Sequence, residues 1–281
     1  MKIVAESFVV SVRLVSQKNP SFGGAILQLD YVSKERGFIK YCGAKIIIIF
    51  VPAKKNIKMI KYQTLEKFAS KPRINRFFVA TGTKTGAKNL YKANLLVSQA
   101  FYPILNLMEI FLRNSLYASV EAYFSNSDWI ISEKNGFMSH PSLAASGYYL
   151  KNSVINAENK MLRKGITVTA GKVLAEQSFG FWVSLFEPAH YRLIGGSVIH
   201  SFPHKPAHIN RKAIFLMLSK IRDFRNRIYH NEPVCFSGVL VDFSYSRQIK
   251  DDIFDLLDWM EPVIKKYVKR FDNIDEKISL F

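Results

Sequence analysis

From residue 59 to the C-terminus, apolar residues recur at helical spacing almost without interruption, and this limits the fold more than any other feature of the chain. Sustained periodicity of that kind leaves room for little besides packed helices. Residues 60–68 read as a short helix stopped before Pro72, and residues 70–87 as a basic loop with Gly82, Gly86 and repeated Thr-Lys. Residues 88–124 have helical spacing, with Pro103 expected to kink or divide them. A Ser-Asn-Ser-Asp stop at 125–128 caps a short helix at 129–132. Residues 148–163 and 169–186 read as helices, the first ended by Gly165 and the second weakened at Gly180. Residues 210–231 are the cleanest helix, with Pro233 just beyond its end, and 251–270 are the last long one, with a bend expected at Pro262. The irregular stretch 200–208 and an extended connection at 234–250 separate these elements. The expectation is an all-α bundle of five to seven helices.

Residues 1–58 break the pattern. Alternation in 7–15 and the β-branched run 46–51 predict short strands, with Gly23-Gly24 interrupting and Pro52 closing the second run. The chain therefore divides into an atypical N-terminal extension, 1–58, and a helical domain, 59–281. Met59 opens the regular part and is a candidate start codon, which would place the extension outside the native product.

With 281 residues, 48% of them hydrophobic, the chain can bury a real core and is not mainly disordered. Two cysteines, Cys42 and Cys235, exclude a disulfide scaffold and a four-cysteine metal site. They suit a reducing, cytoplasmic compartment. No membrane span is expected, and Glu6 and Arg13 spoil the first segment as a signal peptide. The formal charge is +18, which points to a polyanion such as nucleic acid or an anionic membrane surface. Residues 1–100 hold 18 basic and 4 acidic residues, whereas 101–281 hold 22 and 18. Within the first hundred, residues 1–58 carry half of the excess, so the charge argues for RNA only weakly. Residues 1–58 also lack a clear amphipathic basic helix, which argues against a membrane-surface role.

Chemistry concentrates in residues 211–230. On a helix at about 100° per residue, Ile214, Met217, Ile221, Phe224 and Ile228 share an arc of about 80°. Arg222, Arg225, Asn226, Tyr229 and His230 occupy an adjoining arc of about 140°. One side is thus a core stripe and the other lines a cleft. A histidine can exchange a proton with a ribose 2′-OH or a leaving oxygen. An arginine fork can hold a phosphate and offset developing charge, and Asn can orient either group. The same residues also suit an ordinary helix end with surface arginines.

The order Arg225-Asn226-Arg227-Ile228-Tyr229-His230 matches the Arg-X4-6-His motif of HEPN domains, with its polar residue directly after the arginine. Leu107-Met-Glu-Ile-Phe-Leu-Arg-Asn114 resembles the "LEIALRN" segment of the bacterial Abi-like (abortive infection) family. Leu90-Tyr-Lys-Ala-Asn94 resembles its "LYxxN" element, and residues 65–73 its opening. Residues 179–182 read as its "FGFW", and 225–233 as its "RNRIxHxEP" ending. Together these cover about 60–270 in the family's order. The resemblance implies a HEPN-like helical bundle and a metal-independent endoribonuclease in anti-phage defence, needing no cofactor. It implies Arg225 and His230 as the catalytic pair and Asn226 as the accessory residue. It also implies a homodimer whose two motifs share one cleft, with RNA as substrate and an antitoxin or phage-derived trigger as further partner. The alternative is a non-catalytic HEPN module that binds RNA or regulates a toxin or nucleotidyltransferase.

Other residues carry weaker signals. Glu109 and Arg113 are spaced as a favourable i,i+4 pair. With Asn106 and Tyr117 they make a polar stripe that either faces the Arg225–His230 cleft or holds a buried structural ion pair. Arg222 and Tyr229 are expected to support the site. Arg73, Arg76 and Lys84, interleaved with Phe77 and Phe78, are candidates for tracking an RNA backbone. His200, His204 and His208 invite a metal reading, but Pro203 and Pro206 spoil the regular spacing it needs. Phe179, Phe181 and Trp182 read as core, and Cys235 as packing.

Overall fold

The computed structural model describes the backbone of five strands in residues 2–49, and residues 60–281 in full. The chain divides into two compact units, Met1–Lys61 and Tyr62–Phe281. The first is an antiparallel meander of β1 (Lys2–Ala5), β2 (Phe8–Arg13), β3 (Ile26–Tyr31), β4 (Gly37–Cys42) and β5 (Lys45–Ile49), each strand pairing with the next. The sequence pattern had marked only the regions of β2 and β5. The Gly23-Gly24 break and the Met59 start lie outside the described residues.

The second unit is all-α apart from one two-stranded hairpin. Its axis is α3 (Lys84–Phe124), 41 residues and therefore about 60 Å long. Leu90, Val97, Ile104, Met108, Leu112, Leu116 and Val120 form its fully buried stripe. Pro103 neither divides nor ends it. The carbonyl that Pro103 leaves without a partner is that of Gln99, an exposed residue, so water can satisfy it. Part of α3, at mean hydropathy 1.5, is long and apolar enough to cross a membrane by composition alone; in this fold it is the core helix.

Two helices precede it, α1 (Tyr62–Ala69) and α2 (Lys71–Thr81). Residues 70–87 are therefore not a basic loop. Pro72 sits in the first turn of α2, where a missing N–H costs nothing. Gly82, at φ +68°, ends α2 in the left-handed region, its N–H reaching Phe78 O at 2.8 Å. Thr83 then caps α3 by accepting from the Gly86 N–H at 3.0 Å. Every apparent loop signal marks a helix end, while Ile74 and Phe77 are buried against α3.

After α4 (Trp129–Ser132) come two short 3-10 turns and α5 (Tyr149–Arg163). The expected helix 169–186 is two helices, α6 (Ala170–Glu176) and α7 (Phe179–Ser184), broken at Gln177-Ser178 rather than at Gly180. Next are α8 (Pro188–Leu193) and α9 (Arg211–Tyr229), whose cap Asn210 accepts from Ala213 N at 3.1 Å. Strands β6 (Phe236–Ser237) and β7 (Leu240–Val241) form the hairpin. The last helices are α10 (Ser244–Met260), α11 (Pro262–Val268) and α12 (Ile274–Ile278). The last long helix thus opens at Ser244 rather than 251. Its start is set by the Asp242 carboxylate, which accepts from the Ser244 N–H and hydroxyl. Those two bonds hold the Asp242 carboxyl below its ordinary range.

Candidate active site

Helix α9 presents its chemistry because its other side is buried, packed on α10 and meeting α3 through Phe224. Ile214, Leu218, Ile221 and Phe224 are fully buried, with Met217 and Ile228 packed at the margin. The Phe224 ring meets Phe101 of α3 at 4.7 Å between centroids. Arg225, the next residue, therefore faces α3 two turns further along, where Glu109 waits. Arg225 Nη2 lies 3.2 Å from Glu109 Oε2, and both side chains are about three-quarters buried. The guanidinium also lies 4.4 Å from the Tyr229 ring centre, a cation–π contact within one helix.

This corrects the expected pairing. Glu109 engages Arg225 across the helix interface and not Arg113 along its own helix. Arg113 Nε is buried without a hydrogen bond among the described residues. Tyr117 is turned away: its hydroxyl donates to Ser127 O and its ring packs on Trp129. Of the proposed polar stripe, Glu109 alone is joined to the motif.

Arg222, Arg225 and Asn226 line one cavity of about 490 Å³ together with Tyr149 of α5, Ser178 just before α7, Gly180 of α7, and Glu187. Arg222 Nε donates to Asp223 Oδ1 at 2.9 Å. Gly180 is closely approached: a Cβ would stand 3.1 Å from the Tyr149 hydroxyl, which would have to give way by a few tenths of an ångström, and 3.8 Å from Arg222 Cδ. Tyr229 and His230 do not line this cavity. His230 is exposed at the end of α9, with its backbone N–H on Asn226 O at 2.8 Å.

The chain then turns through a Schellman motif. Asn231 N–H reaches Ile228 O at 3.0 Å, and Glu232 N–H reaches Arg227 O at 2.8 Å. Asn231 takes φ +57°, a left-handed conformation that Asn tolerates better than most residues. Neighbours pin every step. Arg73 donates to Asn231 O, Arg227 to Pro233 O, and Ser246 Oγ to Val234 O. Val234 N–H donates to the buried Asn94 Oδ1 at 2.7 Å. Arg76 donates to Gly238 O at 3.2 Å and lies 4.5 Å from the Phe236 ring centre. Arg73 and Arg76 are thus clamps on the motif's exit rather than members of a free basic loop. Lys84 lies 5.6 Å from the Tyr62 ring centre.

The remaining candidates are simply placed. His204 Nε2 is 3.8 Å from Glu261 Oε2, and His200 lines a separate cavity against α3. Among the described residues, no three His, Cys, Asp or Glu side chains gather closely enough to hold a metal ion. Phe179, Phe181 and Trp182 are buried. Cys235 is buried too, and loss of solvation pushes its thiol up to about 12, which makes it a poor nucleophile. Compared with family models, curated proteins and solved structures, the chain gives no match.

Three residues escaped the sequence reading as parts of the site. Asn94 carried a usable signal, being polar on the buried stripe of α3, where it needs a partner. Tyr149 and Glu187 carried none. They reach the cavity only because α5, α7 and α9 converge.

Proposed function

We propose that the chain is a bacterial abortive-infection protein of HEPN type that acts in the cytoplasm as a metal-independent endoribonuclease. The observation that carries this reading is the cavity shared by Arg222, Arg225 and Asn226, with Arg225 held by Glu109. A held guanidinium loses less freedom on meeting a phosphate. In the reaction a ribose 2′-oxygen bonds to the adjacent phosphorus and the bond to the 5′-oxygen breaks. One proton leaves the 2′-OH and one reaches the departing oxygen. The products are a 2′,3′-cyclic phosphate and a 5′-OH. His230 exchanges a proton and Arg225 offsets charge on the non-bridging oxygens. Because His230 stands outside the cavity lining, RNA must extend from the cavity past the end of α9, or a second subunit must complete the cleft.

The exposure of His230 favours one other reading, a HEPN module that binds RNA or regulates a partner without cutting. The deciding experiment assays total RNA with a chelator present, using the full chain, Arg225→Ala and His230→Ala. Cleavage by the wild type and its loss in both variants are expected. Cleavage that survives His230→Ala, or that requires added metal, would falsify the mechanism. Retained RNA binding with no cleavage by the wild type would establish the module.

A further inference from the structure

The cavity beside Arg225 is lined by two kinds of polar group, which suit different parts of one molecule. Some are donors: the guanidiniums of Arg222 and Arg225 and the amide of Asn226. The others are acceptors. Glu187 contributes a carboxylate. Two serines join it with their own protons already used, Ser146 Oγ donating to Leu143 O at 2.8 Å and Ser184 Oγ to Gly180 O at 3.0 Å. Their oxygens are left to accept. Behind the carboxylate stands His190, a fully buried ring with Nδ1 3.3 Å from Glu187 Oε2 but without the alignment of a hydrogen bond. Tyr149, exposed, lines the same cavity, its hydroxyl 3.3 Å from Ser178 Oγ. A volume of about 490 Å³ is within the range of small-ligand pockets.

A nucleotide calls for both kinds of group. Its phosphate needs donors, its base has an apolar face, and some bases carry donors on their pairing edge. Guanine presents two adjacent donors, N1–H and the 2-amino group, which one carboxylate can accept together. Adenine and cytosine present an amino group beside an acceptor. Uracil presents one N–H between two carbonyls, and these would face Glu187 with like polarity. We propose that this cavity is a guanylate subsite in which Arg222 and Arg225 hold the phosphate and Glu187 selects the base. The assignment rests on the ribonuclease reading for its biological substrate, but nucleotide binding can be measured without cleavage.

The test titrates the full chain with the four nucleoside 3′-monophosphates and with inorganic phosphate, by calorimetry at one fixed salt concentration. Guanosine monophosphate should bind about ten-fold or more tighter than uridine monophosphate, the scale of one well-placed pair of hydrogen bonds. Glu187→Gln and Glu187→Ala, checked by thermal melting, should both shrink that preference to about three-fold or less, because neither offers a carboxylate. Arg222→Ala should weaken all four nucleotides alike. Equal binding of the four by the wild type, a preference untouched by both Glu187 variants, or no binding at all overturns the subsite. RNA cleavage without guanosine preference removes the subsite and leaves the nuclease reading standing. Guanylate selectivity without cleavage does the reverse.

Discussion

The last turns of α9 and the segment that follows them adjoin in sequence but are built on opposite terms. In the turn from Arg222 to Asn226, side chains keep polar capacity unused: the cavity holds two guanidiniums and an amide, and Glu109 engages one nitrogen of Arg225. From Asn231 to Gly238 the backbone is tied down by Asn94, Arg73, Arg76, Arg227 and Ser246. Two arginines two residues apart show the contrast: Arg225 faces the cavity, while Arg227 is spent on Pro233. Rigidity supplied just beyond the helix is what allows open chemistry within it, since a loose exit would let the last turn fray.

The largest effect should come from the strongest tie. Asn94 is buried, and replacing it with Ala leaves the Val234 N–H without an acceptor in the interior. An orphaned buried donor costs about 1–3 kcal/mol. In a unit of this size that corresponds to a fall in melting temperature of roughly 2–12 °C. RNA cleavage should drop as well, although Asn94 lies outside the cavity. If Asn94→Ala melts earlier but cuts RNA at the wild-type rate, the pinned exit does not support the open turn.

A smaller effect tests the turn's conformation by itself. Asn231 sits at φ +57°, and its side chain makes no hydrogen bond among the described residues. Asn231→Val should cost about 1–2 kcal/mol, because a β-branched residue is strained there. Asn231→Gly should be nearly neutral, since Gly is the usual residue at this position. Chemical denaturation of both variants checks the pair. An equal loss in both would mean that the Asn side chain, rather than the backbone angle, holds the turn.

The two regions also differed in how readable they were. The helix carrying Arg225 was plain from periodicity, and the adjoining arcs put Arg222, Arg225 and Asn226 on one face, where the cavity finds them. Leu218 belongs to the core stripe and had been passed over, while Met217 and Ile228 sit only at its margin. A burial arc is set by the neighbouring helices as well as by spacing. Of the pinned exit only Asn94, polar on a buried stripe, is legible in the sequence. Arg73 and Arg76 read as a basic patch because charge in a sequence says nothing of distant carbonyls. The ties from Arg73 to Asn231 and from Asn94 to Val234 span 158 and 140 residues. Residues 70–87 read as a basic loop for a local reason: Pro72, Gly82 and Gly86, which look like loop residues, punctuate the ends of two helices.

Tyr229 offers the finest test, because it joins the two regions. Its ring lies under Arg225 at 4.4 Å and beside Tyr102 at 6.4 Å, and it stands one residue before His230. Burial, the larger influence, raises its phenol above the ordinary value, while Arg225 pulls it down. The phenol therefore stays protonated through neutral pH. Any stability from this shift is present below the unfolded value, about 10, and is lost as pH rises through the folded one. A protonated phenol at the rim can neither take a proton at pH 7 nor add charge there, so the ring face is what Arg225 uses. Tyr229→Phe should keep cleavage within about two-fold, and Tyr229→Ala should cost about 0.5–1 kcal/mol of the guanidinium's hold, a two- to five-fold slowing. Single-turnover rates on one RNA separate these outcomes. If Tyr229→Phe slows cleavage as much as Tyr229→Ala, the hydroxyl acts in the site, and the open turn extends three residues, from Asn226 to Tyr229.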